Sequence, residues 1–186
     1  MSKSETIRSM LAQGKGRISA GRAEEVAALV LAQPRRASRM MECLWDDDPA
    51  VANRAAHALE RVTRDGGPVA ASILAGWKAA LLGLLAEATE NKLRWHLALV
   101  VPRMELTHDE CRRAAQALQS WLEDESSIVK TMAMQGLYDL TRQDASLLPL
   151  VVDLLRIFSR TGTPAVQARS RLLLVQLEKP RKTAPK

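Results

Sequence analysis

Apolar residues recur along this chain with the period of an α-helix, and one stretch recurs as a unit. Counting from Val51 as zero, small or apolar residues fall at plus four (Ala55), plus seven (Ala58) and plus eight (Leu59), which places them on one helical face. The same offsets from Leu93 give Leu97, Val100 and Val101. From Val129 they give Ala133, Gly136 and Leu137, and from Val166 they give Ser170, Leu173 and Leu174. The anchors stand roughly 40 residues apart, the period of two-helix repeats. The pattern predicts a repeat array of about nine helices in antiparallel pairs, with an incomplete pair at the N-terminus.

Local signals set the boundaries. Ser2 to Glu5 offers a capping serine with Glu three residues on, followed by Ile7, Met10 and Leu11. A second helix is expected from Arg22 to Gln33, and a third from Pro34 to about Trp45. Asp48-Pro49 reads as N-cap and first helical residue, and Asp65-Gly66-Gly67-Pro68 as a stop. Pro68 to Ala88 is apolar enough to raise the possibility of a membrane span, but Lys78 sits in its middle. Its alanines and glycines suit a helix packed on both sides, with Gly76 and Gly83 letting a neighbour come close. Thr107-His108-Asp109-Glu110 is the clearest capping box, and Thr163-Pro164 starts the last helix, which ends near Glu178.

Composition supports an all-α fold. Hydrophobic residues make up 47 % but aromatics only 3 %, so the core is built of Ala, Leu, Val and Met. The net charge of +6 is concentrated at the ends: Lys3, Arg8, Lys15, Arg17 and Arg22 near the start, and Lys179, Arg181, Lys182 and Lys186 at the finish, with a slightly acidic remainder. Residues 1–178 therefore read as a single repeat domain and 179–186 as a basic, disordered tail. Cys43 and Cys111 lack metal-ligand spacing and no secretory signal is seen, which points to two buried thiols in the cytoplasm.

The stretch Asp48-Pro49-Ala50-Val51 through Leu59, with its counterparts Glu125 to Leu137 and Thr163 to Leu174, resembles the second helix of HEAT repeats, relatives of armadillo repeats. The resemblance covers most of residues 22–178. It implies a right-handed α-solenoid of about four to five helix pairs whose second helices line a concave binding surface. HEAT repeats usually carry a basic residue after the anchor. Arg94 and Lys130 fit this, whereas Ala52 and Gln167 depart from it.

No reactive constellation emerges from the sequence. His57, His96 and His108 form no His-x-x-x-His or His-Glu set, and the repeated His-Glu pairs of iron-binding HEAT enzymes are missing. His108 to Cys111 are successive helical residues whose side chains diverge. No metal or cofactor is expected, and the chain points away from catalysis. If the anchor offsets face the core, the opposite side of each second helix carries His57 and Arg61, then Trp95, Leu99 and Arg103, then Gln135, Tyr138 and Arg142. Trp95, Leu99 and Tyr138 flanked by arginines have the composition of an interaction hot spot; alternatively, Trp95 fills core beside Leu93 and Leu97. Trp45, Trp77 and Trp121 lie in first helices, where core packing is expected. The favoured function is a non-catalytic scaffold holding a protein or peptide on the concave face, with no membrane partner. The alternative is a nucleic-acid binder related to the HEAT-like DNA alkylation repair glycosylases, contacting phosphate through the basic ends.

Overall fold

A computed structural model describes residues 5–16 and 19–178 of the chain. The Ser2 cap and the basic tail 179–186 lie outside the described residues. Among the described residues the protein is all-helical, with ten α-helices and no strand. It gathers into two compact units, Met1–Glu105 and Leu106–Lys186.

The first unit holds α1 (Ile7–Ala12), α2 (Ala23–Ala32), α3 (Ala37–Glu42), α4 (Pro49–Asp65), α5 (Gly67–Glu87) and α6 (Asn91–Val100). Its centre is α4, which packs against α1, α2, α3, α5 and α6. Asp48 caps this helix, its carboxylate accepting from the Ala50 amide at 2.8 Å, and Pro49 occupies the first turn where no donor is needed. One residue, Gly66, separates α4 from α5, and the sharp reversal is completed by Gly67 at φ +47°. The expected third helix is shorter than the sequence suggests. The 3₁₀ turns Pro34–Arg36 and Cys43–Trp45 bracket α3, so only its middle is α-helical.

The second unit holds α7 (His108–Ser120), α8 (Ser127–Leu140), α9 (Leu148–Phe158) and α10 (Pro164–Glu178), with α8 packed against the other three. The Thr107 capping box forms in full: Thr107 Oγ1 accepts from the Glu110 amide at 3.3 Å, and the Glu110 carboxylate accepts from the Thr107 amide at 2.8 Å. The acidic links before α4 and α8 fold alike. Asp46 accepts from the Asp48 amide at 3.0 Å and Asp124 from the Ser126 amide at 2.7 Å, and each acceptor turn delivers the residue that caps the helix. Thr163 caps α10, and its hydroxyl lies 2.6 Å from that of Ser127.

All four anchors, Val51, Leu93, Val129 and Val166, are buried, as are Ala55, Ala58 and Leu59 and their counterparts Ala133, Gly136 and Leu137. Burying apolar surface at about 25 cal/mol per Å² on these faces is what holds the helices together. Both cysteines are free and buried, and burial pushes the Cys43 thiol up to about 11.

Two expectations fail. Trp121 is core, but Trp45 is 45 % exposed and stacks on half-buried Trp77, with ring centroids 6.2 Å apart. And α5, 21 residues long and apolar enough by composition to cross a membrane, is packed on one side only. Ile73, Leu74, Leu81, Leu84 and Leu85 face inward, while Ala71, Ala75, Gly76, Ala79, Ala80 and Gly83 are exposed. A Cβ added at Gly76 or Gly83 meets nothing within 4 Å, so no neighbour among the described residues needs those glycines.

Candidate functional site

In the first unit the stacking of α4 on α6 brings two of the proposed binding residues together. His57 of α4 and Trp95 of α6 both contact His96: the two imidazoles meet edge to face with centroids 5.2 Å apart, and the indole stacks on His96 at 3.7 Å. His57 and Trp95 are half-buried, whereas His96 is only 1 % exposed. Neither ring nitrogen of His96 has a hydrogen-bond partner among the described residues.

The electrostatics follow from this packing. Burial, reinforced by the neighbouring His57 and Lys92, pushes the His96 imidazole down to about 3. Burial and then Lys92 also hold His57 below its ordinary value, with Glu24 and Glu60 opposing. Lys92 is itself lowered, first by burial and then by Arg54. At neutral pH the cluster therefore presents two neutral imidazoles and an indole beside a lysine. It offers apolar contact area together with donor and acceptor capacity.

The other residues proposed in this unit serve it differently. Arg103 closes the 3₁₀ turn Val101–Arg103 onto α4, donating to the Glu60 carboxylate at 2.8 Å, the Glu60 carbonyl at 2.9 Å and the Thr63 hydroxyl at 2.8 Å. Its fork is occupied, which makes it a tie between elements. Arg61 is half-buried, with Glu24 and Asp65 each at 4.0 Å, and Leu99 is half-buried on α6. In the second unit, Gln135, Tyr138 and Arg142 follow one another along α8. Gln135 donates to Asp139 at 2.9 Å, and Arg142 lies 5.5 Å from the centre of the Tyr138 ring. Tyr138 is only 7 % exposed, so its ring is mostly core and its edge meets Arg142.

Sequence reasoning missed two residues. One is His96, at plus three from its anchor. The other is Arg54, at plus three from Val51, a guanidinium only 2 % exposed. It donates to the carbonyls of Leu11 (2.8 Å), Ala12 (3.3 Å), Gly16 (2.7 Å) and Ser19 (3.0 Å), satisfying a buried charge with backbone dipoles. Glycines make room for it: a Cβ at Gly14 would stand 2.6 Å from its Nη2. Gly21, at φ +52°, would bring a Cβ 2.9 Å from its Nε. A cleft of about 580 Å³ between α1 and α3 also holds arginines, but Arg8 there is paired with Asp46 and Arg39 with Glu42.

No protein-family model matches the sequence, and no curated protein matches it. Among solved structures, the crystal structure of an engineered protein from the Northeast Structural Genomics Consortium is similar, with a TM-score of 0.63 and 17 % identity. The match covers 94 % of this chain and 80 % of that one. At that identity the likeness concerns the fold alone.

Proposed function

We propose that this chain is a non-catalytic binding scaffold, a right-handed α-solenoid of the HEAT type that holds a segment of another protein against the inner wall formed by α4 and α6. One observation carries the reading. His96 is buried beneath a half-buried Trp95 with neither ring nitrogen hydrogen-bonded among the described residues, an arrangement that costs stability and that a purely structural position fills more cheaply with Leu. Trp95, His57 and Leu99 supply the amphipathic surface, and Lys92 and Arg61 its charged margin. The serial packing of α2 on α4 on α6, and of α8 on α10, supports a repeat architecture.

The test is capture of partners from cell extract by intact protein and by Trp95→Ala, with thermal melts run beside it to confirm that both are folded. Loss of specific captured species is expected for the variant. Identical capture by the two proteins would move the binding surface off α4 and α6. The nucleic-acid reading rests on the basic ends; Lys3, Arg17 and residues 179–186 lie outside the described residues, while Arg8 is paired with Asp46 and Arg22 with Glu5 and Glu25. It predicts retention on DNA that weakens steeply with salt, and no retention at low salt removes it.

A further inference from the structure

In the second unit, α7 and α9 both lie against α8, and an open groove of about 770 Å³ borders them. Arg112, Arg113, Gln116 and Gln119 of α7 line it on one side. Opposite them, Leu147 is buried at the base and Leu150 remains 38 % exposed. Arg112 and Arg113 are exposed and have no ion-pair or hydrogen-bond partner among the described residues. Many other arginines of the chain are matched: Arg8 to Asp46, Arg22 to Glu5 and Glu25, and Arg103 to Glu60. Successive helical residues leave the axis about 100 degrees apart, so the two guanidinium groups spread positive charge across the groove.

The rest of the lining selects among anionic partners. No aromatic ring lines the groove to stack a base, which disfavours a nucleic acid; Asp109 opposes any anion alike, and the two arginines outweigh it. Glutamine amides can donate to and accept from an extended peptide backbone, and Leu150 offers an exposed apolar anchor. We propose that this groove docks a protein segment rich in Asp or Glu that also carries an apolar side chain. The surface is distinct from the α4 and α6 wall, so either proposal can fail without the other.

Fluorescence anisotropy with the full chain tests it. The probes are a fluorescein-labelled Glu- and Leu-containing peptide, its counterpart with Lys for every Glu, and a single-stranded DNA of equal negative charge. The acidic peptide should bind in preference to both others. Arg112→Glu with Arg113→Glu should weaken it by about tenfold or more, since opposed charges become like charges. Leu150→Ser should weaken it several-fold. Arg160→Glu, at an exposed arginine outside the groove lining, should leave it unchanged. Absence of acidic-peptide binding at low salt, equal binding of the Lys peptide, tighter binding of the DNA, or indifference to the double charge reversal would each overturn the proposal.

Discussion

α4 and α8 obey the same offset rule and sit at the centre of their units, yet what fills their interiors differs. Around α4 the buried set includes Asn53, Arg54 and Glu60; at the same offsets α8 carries half-buried Thr131 and Met132 and buried Tyr138. The plus-three position shows the contrast most plainly, with Arg54 buried after Val51 and Met132 only half-buried after Val129. α4 is enclosed by five other helices and α8 by three. A polar side chain on the inward face of the more enclosed helix, such as Arg54, is cut off from water and must find its partners inside. Periodicity decides which positions turn inward; the number of neighbours decides how completely any polar group there must be satisfied.

Giving α4 the residue that α8 carries tests this contrast at its strongest. Arg54→Met leaves the carbonyls of Leu11, Ala12, Gly16 and Ser19 without their donor. At about 1 kcal/mol or more per unsatisfied group, a loss of about 4 kcal/mol in urea unfolding is expected. A loss below about 1 kcal/mol would mean that water reaches those carbonyls and that the enclosure argument is empty.

The histidines come next. Unfolded, His96 titrates near its ordinary 6.5, whereas in the folded protein it is pushed down to about 3. Between those values the unfolded chain binds the extra proton, so stability falls as the pH drops from 6.5 toward 3, by a few kcal/mol in all. The lowered His57 acts in the same direction. Asp144 in the second unit, lowered mainly by its hydrogen bonds to Ser146, contributes stability that is lost only as the pH falls below its ordinary 3.8. Denaturant unfolding at pH 4.5 and 7 therefore reads chiefly the histidines, since Glu5, Asp46 and Asp144, all lowered by hydrogen bonds, lose most of their contribution at lower pH. His96→Leu should flatten the difference and raise the melting temperature at neutral pH, because no ring nitrogen is left unsatisfied. An unchanged acid limb in that variant would assign the effect elsewhere.

Tyr138→Phe should have the smallest effect. The hydroxyl lies 3.5 Å from Arg142 Nη2, a long contact at a partly exposed edge, while the buried ring is retained. Less than about 1 kcal/mol is expected by thermal melt. A larger loss would show that polar ties matter in the second unit as they do in the first.

Much of the helical framework was legible because its causes are local. Asp48-Pro49 and Thr107 with Glu110 act within one turn, and the anchors announce themselves by period and apolarity. Half of the candidate site was legible as well: His57 and Trp95 follow from their offsets. His96 was not, because plus three borders the core face and a histidine there reads like any other core residue. Arg54 was hidden for a different reason. Its acceptors are backbone carbonyls 35 to 43 residues earlier, and a carbonyl leaves no mark in the identity of the residue that carries it. The face of α5 misled because alanine and glycine suit both close helix contact and a smooth solvent surface.

The four carbonyls that receive Arg54 belong to the end of α1 and the segment after it. For anyone shortening the protein, that makes the first helix inseparable from the fourth. A version starting at Ala23 would remove both the acceptors of Arg54 and the segment that covers it, baring the face of α4 on which α1 packs, so the cut must fall before Ile7.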